Sequence, residues 1–94
     1  DQRTLEIQNE ISALILNYQL INQQIELGND LVVNFQRLFE GERTMFFNGE
    51  SDFFVVNQRE LEYLEEQNKL IDLNVKQIEI GTSIDLNLGA KPGK

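Results

Sequence analysis

The chain has 94 residues, so it makes at most one small domain with a modest core. It contains no cysteine and no histidine, which excludes disulfide staples, thiolate or imidazole metal sites and every histidine-based catalytic arrangement. With 8 basic against 16 acidic residues, its net charge of -8 opposes binding to a phosphate backbone, and nucleic acid is not an expected partner.

From about residue 4 to residue 48 the chain reads as one helix. Apolar side chains recur at alternating steps of four and three: Ile7, Ile11, Leu14, Tyr18, Ile21, Ile25, then Val32, Phe35, Phe39 and Phe46. Gly28 and Glu42 occupy two positions of this seam. A second apolar stripe follows Leu16, Leu20, Leu27, Leu31, Leu38 and Met45. Two stripes on one helix predict two neighbours, because a lone hairpin covers only one. Glu26-Leu27-Gly28-Asn29-Asp30 can also be read as a helix stop and restart, which would give a three-helix bundle broken near Gly28. The seam runs through Gly28 without losing phase, and that continuity favours one long helix. Interior Gly28 and Gly41 each cost about 1 kcal/mol relative to Ala, so either a neighbour comes close or the helix bends.

Asn48-Gly49-Glu50-Ser51 breaks the pattern. Glycine suits a helix stop and serine a helix start, so the turn is placed at 49–50 and a second helix at about 51–80. Ser51 is its expected N-cap, with the Asp52 charge against the positive end of the helix dipole and Gly81 as the terminating residue. Its seam is read as Leu61, Leu64, Ile71, Val75 and Ile78, with a second stripe through Val56, Tyr63, Leu70, Leu73 and Ile80. Acid-first spacing predicts pairs Glu65 to Lys69 and Asp72 to Lys76. After Gly81 the apolar residues alternate (Ile84, Leu86, Leu88), and 82–94 is expected to be an irregular tail.

The fold class that follows is all-α: a long antiparallel two-helix coiled-coil hairpin over residues 1–81. Folding about Gly49-Glu50 pairs residues whose numbers sum to roughly 100. Phe46 then faces Phe54, Phe39 faces Leu61 and Ile25 faces Val75, while residues 1–20 overhang and need other helices. Met45 is the only methionine, so the chain reads as a piece or processed product of a longer protein.

Catalysis is not expected. Carboxylates cluster in Glu60, Glu62, Glu65 and Glu66, and a two-helix rod offers no cleft to split their pKa values, so a solvated face explains them. No calcium loop, phosphate-binding glycine loop or activated nucleophile is present, and no metal or other cofactor is predicted. Function points instead to the turn, where Phe46, Phe47, Phe53 and Phe54 are four of the six phenylalanines. Two helices cannot hide four rings at their end. The rings either plug the turn or form a protein-docking surface.

The segment from Leu38 to Glu60, with Asn48-Gly49-Glu50-Ser51-Asp52-Phe53-Phe54-Val55-Val56-Asn57-Gln58-Arg59-Glu60 at its heart, resembles the periplasmic coiled-coil tip of TolC-like outer-membrane efflux proteins. The likeness is to the branch found in Bacteroidetes and extends over roughly residues 10–80. It implies a hairpin of a periplasmic α-barrel in a trimeric channel of a Gram-negative bacterium, with membrane contact made by β-strands that this chain lacks. It also implies that the tip docks a periplasmic adaptor (membrane-fusion) protein of a tripartite export system. Carried onto this sequence, the docking tip is Phe47, Asn48, Gly49, Glu50, Ser51, Asp52 and Phe53. Many members place aspartates six and nine residues past the tip glycine, at the closed channel entrance. Val55 and Gln58 stand there instead, and Arg59 and Glu60 become candidates for ion pairs between protomers. Two alternatives remain open at this point: the hairpin of an adaptor itself, and a free-standing helical interaction domain.

Overall fold

The computed structural model describes residues 1–89, which form two helices and no strand: α1 (Gln2–Phe47) and α2 (Phe53–Gly89). They pack antiparallel as a rod of 71 × 22 × 15 Å. At 1.5 Å per residue the 46 residues of α1 reach roughly 69 Å, so α1 alone sets the length. Asp1 caps α1 by accepting from the Thr4 backbone N–H at 2.9 Å.

The helix does not break at Gly28, and the three-helix alternative is excluded. Gly28 is the one buried residue among those described. A Cβ there would lie 3.1 Å from Leu70 Cδ1 and 3.8 Å from Leu73 Cδ1. Of the two explanations for an interior glycine, close approach of a neighbour is the one realised. Gly41 has nothing within 4 Å of a Cβ position and faces open space.

The α1 seam has the predicted phase: Ile11, Leu14, Tyr18, Ile21, Ile25, Gly28, Val32, Phe35, Phe39 and Glu42 are all buried or half-buried. The α2 seam differs from the expectation. Val56, Arg59, Tyr63, Glu66, Leu70, Leu73, Gln77, Ile80 and Ile84 are half-buried, whereas the stripe read as the seam points outward, with Ile71 58% and Ile78 66% exposed. The pairing sum of roughly 100 is correct. Phe39 stacks on Tyr63 at 6.1 Å between centroids, and Gln77 Nε2 donates to Asn22 Oδ1 at 2.5 Å. Phe39 therefore faces Tyr63 rather than Leu61, and Val75 is exposed rather than packed on Ile25. The physical reason lies at Gly28, where the missing side chain lets Leu70 and Leu73 come close to α1.

Rotating α2 in this way also moves two glutamates. Glu62 and Glu66 are half-buried beside the seam rather than on a solvated face. Lys69 bonds Glu66 at 3.3 Å, three residues back, instead of Glu65. Among the described residues Asp72 and Lys76 form no ion pair.

The irregular tail is a second correction, because α2 continues through Gly81 to Gly89. Ile80 and Ile84 carry the seam past the glycine, and Tyr18 lies 3.4 Å from where a Gly81 Cβ would stand. Ser83 and Asn87 bond the carbonyls of Glu79 and Ser83, one helical turn back, so their polar groups suit a helix. The overhang shrinks accordingly: residues 1–10 are exposed throughout and Ile11 is already half-buried, in place of an overhang of 1–20. Residues 90–94, the end of the expected tail, lie outside the described residues.

No hydrophobic side chain is buried among the described residues. The accessible surface is 7145 Å², whereas a compact protein of this mass exposes roughly 5,600 Å². Both outer stripes, Leu16 to Met45 on α1 and Leu61 to Ile78 on α2, are open to solvent. Replacing Gly28 by Val tests the close approach. Overpacking against Leu70 and Leu73 should lower stability by about 1–3 kcal/mol in urea unfolding followed by circular dichroism. Gly41→Ala in the same assay should raise it by about 1 kcal/mol, since nothing meets the added methyl.

Candidate functional site: the hairpin tip

The tip is built by three backbone devices. At the end of α1, Gly49 takes φ +79, the left-handed conformation that only glycine adopts without cost. The Glu50 N–H reaches back to the Met45 carbonyl at 2.7 Å and the Gly49 N–H to the Phe46 carbonyl at 3.0 Å. Those two bonds are the Schellman closure, which satisfies carbonyls the helix end leaves free. At the start of α2, Asp52 Oδ1 accepts from the Val55 N–H at 3.0 Å. Asp52 is thus the N-cap in place of Ser51, and the turn covers 48–52 rather than 49–50.

Ser51 has a different task. Its hydroxyl donates to Glu42 Oε2 at 2.6 Å across the top of the seam. Glu42 Oε1 lies 4.0 Å from Arg59 Nε, and Arg59 Nη1 donates to Glu62 Oε1 at 3.1 Å. Arg59, expected to pair between protomers, is therefore engaged within its own chain. Glu60 is exposed and forms no ion pair among the described residues.

The phenylalanines project around this turn. Phe47, Phe53 and Phe54 are 76%, 69% and 75% exposed, so they do not plug the hairpin. Phe46 is the brace: its ring lies 6.0 Å from Phe47 and 6.3 Å from Phe53 between centroids. Its partner across the turn is Phe53 rather than Phe54. Between Arg43 and Arg59 the only charged residues are Glu50 and Asp52, which gives the apex three open rings and two negative charges. Arg43 stacks its guanidinium 5.6 Å from the Phe39 ring, below the apex.

Of the docking tip expected from sequence, Phe47, Asn48, Gly49, Glu50, Asp52 and Phe53 are all exposed at one end of the rod, and Ser51 is half-buried. Phe54 belongs with them by exposure, and composition alone had already singled it out. Glu42, a seam position in the sequence, has a role at the tip that the apolar pattern does not point to. Its one signal was an acid at an apolar heptad position.

A shallow hollow of about 470 Å³ lies at the tip between Glu42, Met45, Gly49 and Val55, and along the rod a groove of about 480 Å³ is floored by Gly28 and walled by Leu27, Leu31, Leu70 and Leu73, with Glu66, Lys69, Asp72 and Lys76 along it. Its apolar lining suits a packed side chain rather than bond-making chemistry. Among the described residues no group of His, Cys, Asp or Glu is placed to hold a metal ion, and no helix is long and apolar enough to cross a membrane. Comparison of the chain with protein-family models, curated proteins and solved structures gives no match.

The turn geometry can be checked by substitution. Gly49→Ala should cost about 1–2 kcal/mol, from the left-handed conformation it must hold. Asp52→Ala should cost about 1 kcal/mol and Asp52→Asn little, since asparagine caps equally well. Thermal unfolding of the three variants against the parent gives the ranking.

Proposed function

We propose that this chain is a hairpin from the periplasmic α-barrel of a TolC-like outer-membrane duct, and that its tip docks a periplasmic adaptor protein of a tripartite export system. The observation that carries this reading is the apex itself. Three exposed phenylalanines sit on a capped, hydrogen-bonded turn at the end of a 71 Å rod. Aromatic rings held open at one end of a rigid element are typical anchors of a protein interface. The Gly49-Glu50-Ser51 turn and the Val-Asn-x-Arg-Glu run beyond it supply the family likeness.

The helix flanks support the same reading. A helix in a barrel wall needs a neighbour on each side, and both helices here carry an outer apolar stripe besides the seam they share. Self-association through those stripes, as a trimer in the complete duct, would remove the surface excess of the isolated hairpin. The role is mechanical: docking holds hairpins apart at the channel entrance, and no bond is made or broken.

Because the chain has no cysteine, Glu50→Cys provides a unique attachment point at the apex. Thiol cross-linking from that position to a candidate adaptor should give an adduct, and Leu27→Cys on the flank should not. Adducts from the flank with none from the apex would contradict tip docking. Phe53→Ala and Phe54→Ala should each weaken adaptor binding by about ten-fold or more, the loss expected of an interface anchor.

A further inference from the structure

We infer that Glu42 is a latch that fixes the docking turn, placed in the seam for that purpose at the expense of apolar packing. This rests on the docking reading for its biological use, but the latch itself is a statement about the chain. The α1 seam is apolar at Val32, Phe35 and Phe39 and then presents a carboxylate at the next heptad position. A leucine there would continue the packing. The Glu42 side chain is only 17% exposed, and a carboxylate withdrawn from water is costly unless donors meet it.

A hydrogen-bond donor and a counter-charge come from two different elements. Ser51, in the turn, donates to one carboxylate oxygen at 2.6 Å, and Arg59, nearly two turns into α2, brings Nε to 4.0 Å from the other. Arg59 is in turn steadied by Glu62 at 3.1 Å. One side chain of α1 thereby ties down both the turn and the start of α2. Arg59 Nε is shielded from solvent and has no acceptor, so Glu42 is the one facing carboxylate it can close on. An approach of about 1 Å would complete a charge-assisted hydrogen bond. Without Glu42 the turn keeps its backbone bonds but loses the one side-chain hydrogen bond that ties it to α1 among the described residues.

Glu42 is a positioning residue: it touches no partner and acts by holding Phe53 and Phe54 where α2 begins. Glu42→Leu separates this role from stability, because leucine restores the apolar seam. The hairpin of that variant should unfold at the same temperature as the parent or higher. The amide protons of Gly49, Glu50 and Val55, each hydrogen-bonded in the turn, should exchange about ten-fold faster or more, while those of residues 63–80 change less than about two-fold. Glu42→Gln, which keeps an acceptor for Ser51 and loses the charge facing Arg59, should fall between parent and Glu42→Leu. Unchanged exchange at Gly49, Glu50 and Val55 in Glu42→Leu would overturn the latch. So would a uniform rise along the whole hairpin, which would mark Glu42 as merely structural. The exchange measurement needs no adaptor: if it succeeds while no apex adduct forms with Glu50→Cys, the docking reading fails and the latch stands.

Discussion

The close approach of α2 to α1 at Gly28 decides which face of α2 turns inward. At that point α1 presents no side chain, and Leu70 and Leu73 come close beside it, with Leu70 Cδ1 3.1 Å from where a Cβ would be. Once those two leucines face inward, helical geometry fixes the rest of the seam: Tyr63 and Arg59 toward the apex, Gln77 and Ile84 toward the other end. Stacking of Phe39 on Tyr63 and the Asn22 to Gln77 hydrogen bond follow from the same rotation. The more apolar stripe of α2, from Leu61 to Ile78, is left outside.

That arrangement is unusual for a self-sufficient domain and reasonable for a component. A two-helix hairpin seeking only its own stability would bury the better stripe. Here the internal contact accepts Arg59, Glu66 and Gln77, whose polar ends are met by Glu62, Lys69 and Asn22. The exposed stripes are then free for neighbours. Under the proposed barrel, an apolar surface that looks costly on the isolated chain becomes the wall contact, and the apex is the only part left for another protein.

Much of the fold was legible in the residues because it depends on periodicity. The α1 seam from Ile11 to Glu42 follows from uninterrupted four-three spacing and the pairing sum near 100 from the place of the turn, and the structure has both. The choice between the two α2 stripes was not legible. Each is apolar and in register, and only the space at Gly28 distinguishes them. Gly81 misled for a related reason: a glycine that looks like a stop in sequence is covered by Tyr18 in three dimensions, and Ile84 continues the packing beyond it. At the apex, counting aromatics against available cover leaves a plug and an open surface both possible, and the exposure of Phe47, Phe53 and Phe54 decides for the open surface. The cap is not decided by residue type, because Ser51 and Asp52 are both competent caps; Asp52 takes it because the Ser51 hydroxyl goes to Glu42.

The central claim is that α2 meets α1 through the face containing Leu70 and Gln77, leaving the face with Val75 and Ile78 outside. In a cysteine-free chain this can be read directly by a short thiol-to-thiol cross-linker acting within one molecule. Asn22→Cys with Gln77→Cys should close readily at a dilution that suppresses links between chains, and Ile25→Cys with Val75→Cys should not. Efficient closure of the second pair with none of the first would place the other stripe in the seam and contradict the account.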